Sequence, residues 1–471
     1  MATVSPALFL FVYLTSVGAP AAQQGQLAAE FSLQAGRIAE ACKAMPSALM
    51  KCPIEFLTDH PIHLAVGNLA PQNGFGFGPA FVTHFYNEHR DISVNADVVA
   101  TPGGAWRAGV YVKAVLTPVA DTVVVPIGAV PAAAPDALVI HPYPIIDGYV
   151  QTTSLHSVFF FGLGPDTAEP DQTAFGMRET IAGGHVIYPL FTKGALSALN
   201  LSAVGELNGR FVDVRSSDAQ PVPDITTRYD ETTAPGIASQ PGFFQLGEAV
   251  RMKPSMFNER LRFNYLASAQ QFMASSNSRY SFRRWTADLD HEFSIYRTVR
   301  RSESRDTHGP NDCSETLGDS PCPAPSISRN RYGSIGFRLF ASTSTTGSDQ
   351  VVPFYFQQTL GGSDINGARW LSGYEDYRFR GPAVFALRES LEHYIYGIVG
   401  VSVTAEQGTV SAPGSGLKLG SLKHSAAAGL TLRAGGLPVA SIMWGWGPEG
   451  QRVIAVVNAS LLGGSSRPSL H

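Results

Sequence analysis

The chain has 471 residues, 44% of them hydrophobic and only 15% charged, with 47 glycines, 32 prolines and a formal net charge of −4. That balance provides no basic footprint for nucleic acid. After residue 22 no apolar run approaches the ~18 residues a membrane helix needs, which excludes a helical membrane protein and leaves apolar residues spread in alternation.

At the N-terminus an apolar stretch from Ala7 to Val17 precedes Ala19, Pro20, Ala21 and Ala22, the small residues a signal peptidase reads, so residues 1–22 are expected to be a signal peptide of an exported protein. The leading residues lack the usual Lys or Arg, and the structural alternative is a buried N-terminal helix. In residues 23–60, Leu27, Phe31, Leu33, Ile38 and Met45 stand near helical spacing and predict a short helical segment on the periplasmic side. The cysteines fall into two local pairs, Cys42 with Cys52 and Cys313 with Cys322. Neither pair has the spacing of a zinc or redox site, and of the three possible connectivities proximity favours local disulfides in an oxidising compartment.

From residue 61 the pattern turns to period two. Ile92, Val94, Ala96 and Val98 share one face, with Ser93, Asn95 and Asp97 on the other. Trp106, Ala108, Val110, Val112, Ala114 and Leu116 oppose Arg107, Tyr111 and Lys113 in the same way. The alternation recurs in 197–211 and 284–296, where Glu206, Arg210, Arg284, Asp288 and Glu292 mark the polar side. Strands of ten or more residues with one apolar and one charged face predict an antiparallel transmembrane β-barrel with a wet lumen, whereas the strands of a soluble sandwich average nearer six.

Sixteen strands are expected, at 77–87, 91–101, 104–117, 136–146, 148–161, 172–190, 197–211, 260–273, 280–297, 332–344, 350–358, 383–394, 396–407, 420–433, 437–446 and 451–462. If the first rises from the periplasm, the long connections 118–135, 162–171, 212–259, 298–331, 359–381 and 408–419 all fall outside. The expected division is a barrel over 61–463 and a tail over 464–471.

The connection 359–381 is too long for a hairpin turn and too rich in arginine and aromatic residues for a linker. Its order of parts is LGGSD, then Leu371-Ser372-Gly373-Tyr374, then YRFRG ending at Gly381. This order resembles the sixth extracellular loop of the BamA/TamA-type outer-membrane barrels, the bacterial surface antigen family. NGFGFGPAF at 73–81 is similar to that family's first strand, FFFGLGPDT at 159–167 to a segment of its shorter members, and 352–410 is the strongest block. The resemblance implies a loop tucked into the lumen, a role in inserting or translocating polypeptides, and soluble periplasmic modules for which 23–60 has no room. It also implies an arginine at the loop tip docked on an acid of the barrel wall. Here Ser372 stands in that arginine's place, and Val403-Thr404-Ala405-Glu406 stands where the family tends to have Phe-Val-Asp-Ala. The expected substitute is Arg369, Arg378 or Arg380 paired with Glu392 or Glu406, the alternative being that these arginines are solvated loop charges. Gly361, Gly362 and Gly373 permit backbone conformations closed to other residues.

Enzymatic constellations are poor. The twelve histidines are scattered without HExxH spacing, and no GxSxG elbow occurs. The expectation is therefore no enzyme, with no catalytic, cofactor-binding or metal-ligating residues. A monomeric barrel closed on its own edges is expected, with outer-membrane lipid as the surroundings and a polypeptide substrate or periplasmic accessory protein as partner. The alternative functions are a passive or gated pore and a structural surface antigen.

Overall fold

The computed structural model describes residues 61–87, 89–116, 143–192, 194–217, 221–257, 260–299, 328–365, 367–396, 399–434 and 437–457, together with two isolated positions nearer the N-terminus. The expected signal peptide, nearly all of 23–60, all four cysteines with their pairing, and the tail 464–471 lie outside the described residues.

The described chain is almost entirely antiparallel sheet. In order the wall strands are β1 (Ile62–Asn68), β2 (Phe75–Asn87), β3 (Arg90–Ala100), β4 (Trp106–Leu116), β5 (Ile145–Phe160), β6 (Thr173–Leu190), β7 (Leu201–Ser216) and β8 (Phe243–Met252), the last continued by the short β9 (Ser255–Met256). They continue as β10 (Leu261–Ala274), β11 (Phe282–Val299) and β12 (Ser328–Thr345). Two short strands, β13 (Gln358–Leu360) and β14 (Phe379–Gly381), pair with each other apart from the wall sheet, and Arg380 of β14 also bridges Gly164. The wall resumes with β15 (Ala383–Tyr396), β16 (Val399–Val410), β17 (Lys423–Ala434), β18 (Leu437–Gly447) and β19 (Gly450–Val457). With β8 and β9 taken as one, sixteen strands pair each with the next from β1 round to β19 and nearly close into a barrel.

The burial of side chains is the reverse of a soluble protein's. Apolar residues of the period-two pattern are exposed, Phe211 at 58%, Trp285 at 51% and Val98 at 53%, while Asp97, Glu206, Arg210 and Arg284 on the opposite face are no more than 4% exposed. A water-soluble sheet would bury the first set. An outer face of this kind suits an apolar medium, and closure satisfies the backbone groups that such a medium would leave unpaired. Inner-face charges are compensated by one another: Arg107 with Asp97 at 2.5 Å, and Arg338 in a two-pronged bond to Asp288 at 2.9 and 2.6 Å.

The expected strand set needs four corrections. β1 and β8 are missing from the expected set, because β1 is only seven residues long and Gly247 and the outward Glu248 break the alternation of β8, which lies within the expected connection 212–259. Residues 350–358 are not a wall strand: Phe354, Tyr355 and Phe356 form a single 3₁₀ turn, all three buried, and pack as core. Of the expected strand 136–146, residues 136–142 lie outside the described set and Ile145 and Ile146 open β5 instead. The wall strands flanking 117–144 and 300–327 also meet those segments at the end opposite to 346–382, so these two connections do not share the end expected for them.

Candidate functional site

The 37-position interval between β12 and β15, residues 346–382, is anchored by the β13/β14 pair, with Thr359 opposite Arg380 and Leu360 opposite Phe379. Gly361 and Gly362 turn the chain at φ of +104° and +56°, and a Cβ on either would strike Arg378 or Asp376. Leu371 and Tyr377 hold φ of 57° and 61°, a left-handed geometry unfavourable to side-chain-bearing residues, and both are buried. Strain of that kind persists only where surrounding contacts fix it. For Leu371 those contacts are Leu360, Trp370, Tyr374 and Phe379, packed on Val384 and Ala386 of β15 and Val410 of β16, while Tyr377 belongs to the core cluster that holds Phe354 and Phe356.

The tip docks on inner-face residues of the wall. The Ser372 N–H donates to Glu406 Oε2 at 2.5 Å, Ser425 Oγ donates to the same oxygen at 3.0 Å, and Arg388 of β15 donates to Oε1 at 2.8 Å. Trp370 lies beneath two guanidiniums, Arg388 at 4.7 Å and Arg338 at 5.2 Å from its ring centre. Gly373 sits directly against the backbone of Trp446 and Gly447 of β18, and Gly445 against the Ser372 carbonyl, so both positions need the absence of a Cβ.

The expected arginine pairs differ from the observed ones. Arg378 pairs with Glu449 at 2.9 Å in the β18–β19 turn and gives its two terminal nitrogens to Thr167. Arg380 donates to the Phe354 carbonyl at 2.9 Å, and Arg369 reaches Ser441 Oγ at 3.4 Å. Burial, with Arg388 close by, pushes the Arg369 guanidinium down from its ordinary value. Glu406 does meet the tip, through the Ser372 amide, while its cation is Arg388 from the neighbouring strand. Glu392 stands further along β15, opposite Ser334 and Ser402. Sequence reasoning missed Arg388, Glu449 and Arg452, the last of which holds the Tyr374 carbonyl at 2.8 Å and Glu375 at 3.0 Å. Each lies on a different strand, turn or loop from its partner, and the register of the wall and the path of the loop together bring them into contact.

No protein-family model matches the chain, and no curated protein sequence matches it. Solved structures similar to it include CdiB from Escherichia coli, at 12% identity and TM-score 0.48 over 85% of this chain and 63% of that one. BamA from Haemophilus ducreyi, in a form lacking POTRA domains 1–3, gives 11%, 0.47, 84% and 68%. CdiB from Acinetobacter baumannii gives 10%, 0.46, 83% and 58%. The chain spans 58% and 63% of the two CdiB chains. At these values the likeness extends to the barrel fold alone and carries no argument about activity. The class defined by the sheet is the antiparallel β-barrel of the bacterial outer-membrane type.

Proposed function

We propose that the protein lies in a bacterial outer membrane, that residues 346–382 plug its lumen, and that it inserts polypeptides into that membrane or passes them across it. The observation that carries this reading is the seam. Asn68 Nδ2 of β1 donates to the Ala455 carbonyl of β19 at 3.2 Å, yet among the described residues no backbone ladder joins those two strands, while every other neighbouring pair has one. Unsatisfied backbone groups are expensive in hydrocarbon, so a wall weak along one line opens there first. An extended polypeptide could then add to the exposed edges by strand pairing. The latched tip supports the same reading, because it keeps the lumen filled while the wall parts sideways.

A gated pore is the second reading, favoured by the charged pairs along the inner face, Asp97 with Arg107 and Asp288 with Arg338. One experiment separates them. In a background with the four native cysteines replaced by serine, Asn68→Cys and Ala455→Cys are joined across the seam in reconstituted vesicles. Oxidation is expected to stop the vesicles accelerating insertion of an unfolded eight-stranded barrel protein, and reduction to restore it. No acceleration by the uncross-linked protein, or acceleration indifferent to the cross-link, overturns the insertion reading.

A further inference from the structure

Between the wall and the docked loop lies a cavity of about 70 Å³, and three guanidiniums border it: Arg210 of β7, Arg284 of β11 and Arg380 of the loop. All three are buried, at 3, 4 and 4% exposure. Glu179 and Asp364 line the same cavity, so two carboxylates face three cations there, and Glu206 acts on Arg210 from its own strand. Glu179 Oε1 is 3.6 Å from Arg210 Nε, beyond hydrogen-bond length, and Glu206 Oε1 is already taken by Gln245 and Gln270.

Arg210 Nε and Nη2 and Arg380 Nε have no protein acceptor among the described residues. Arg284 gives Nη2 to the Phe356 carbonyl and Nε to Ser344 Oγ at 3.4 Å. Aromatic rings flank the guanidiniums instead, Phe272 lying between Arg210 at 5.9 Å and Arg284 at 5.4 Å. Rings attract a cation but accept no strong hydrogen bond, so the N–H groups remain to be satisfied. Burial pushes Arg380 down to about 10.

We propose that this cavity binds one small tetrahedral oxyanion of the phosphate or sulfate class, which ties the loop to β7 and β11. Guanidinium groups suit the oxygens of such an anion, and three of them, from three chain segments, border this one cavity. A cavity of about 70 Å³ exceeds what one water needs and is of the size of one such ion or a few waters. The site is independent of the polypeptide reading, since it requires only the loop seated on the wall.

The test uses the full chain in detergent, freed of phosphate, titrated with sodium phosphate at ionic strength held constant with chloride. Equilibrium dialysis with labelled phosphate is expected to show one equivalent bound per chain, displaced by sulfate and not by chloride, with a saturable rise in Tm. Arg380→Gln and Arg284→Gln should each weaken binding at least tenfold, while Arg262→Gln, on the same inner face but paired with Glu292, should leave it unchanged. The dialysis on wild type stands even if an arginine variant fails to fold. Absence of saturable binding means the cavity holds water only and overturns the proposal, as does binding that survives both arginine variants. Binding of a short-chain phosphatidic acid but not of inorganic phosphate overturns the free-anion assignment in favour of a lipid head group.

Discussion

Arg378 Nε donates to both carboxylate oxygens of Glu449, at 3.1 and 2.9 Å, and so joins the loop to the β18–β19 turn. The same guanidinium holds Thr167 and lies 5.0 Å over the Phe161 ring, so one side chain pins three connections at one end of the barrel. Arg378 is 2% exposed and its side-chain partner 24%. Removing one member of such a pair leaves the other charge without its partner. Arg378→Ala is expected to destabilise by about 3 kcal/mol, far above the ~1 kcal/mol of an exposed pair. Thermal unfolding read from gel mobility checks this, and a double cycle with Glu449→Gln should return most of the loss as coupling.

Glu406 gathers three donors, and Arg388 has it as its ion-pair partner at 2.8 Å. Glu406→Ala should lower stability by about 3–5 kcal/mol, because it leaves a guanidinium and a backbone N–H unsatisfied together. Glu406→Gln keeps the acceptor for Ser372 and should lose less. Equal loss in the two variants would show that the amide contact contributes nothing.

Gly373→Ala places a methyl group against the backbone of Trp446 and Gly447, which cannot move aside without breaking the β18 ladder. The expected outcome is an undocked tip with the wall intact: normal far-UV circular dichroism together with conductance in planar bilayers. Deleting 363–380 should open the same conductance fully. Silent bilayers with both variants would mean that the loop does not fill the channel.

Asp224, in the β7–β8 connection, supplies a pH test. Burial pushes its carboxyl up, but hydrogen bonds from Thr226 Oγ1 at 2.6 Å, the Ser217 N–H at 2.9 Å and the Thr226 N–H at 3.0 Å outweigh it and hold it below its ordinary value. A depressed carboxyl adds stability above its unfolded value and loses it as pH falls through the folded one. The Tm difference between wild type and Asp224→Asn should therefore be full at neutral pH and close as pH falls below about 4. A difference that stays constant through that range would assign the effect to packing.

What the sequence by itself determined is the wall. Period-two alternation placed Ile92, Val98, Trp285 and Phe211 on one face and Asp97, Arg210 and Arg284 on the other, and the fold keeps both sets together, because strand geometry alone puts successive side chains on opposite faces. The number of strands also follows, although by compensation: overlooking β1 reversed the direction of the next three strands until the expected strand 136–146 restored it. Overlooking β8 and adding 350–358 did the same later in the chain. Alternation records which face a residue takes but not which end of the barrel a strand begins from, so the placement of 117–144 and 300–327 waited for the pairing of described strands. The tertiary structure alone decided the site. Glu406 meets Arg388 because β15 and β16 place them directly opposite, and Arg378 meets Glu449 across 71 residues. Those partners are set by register and by the path of a long loop, and neither leaves a periodic trace in the sequence.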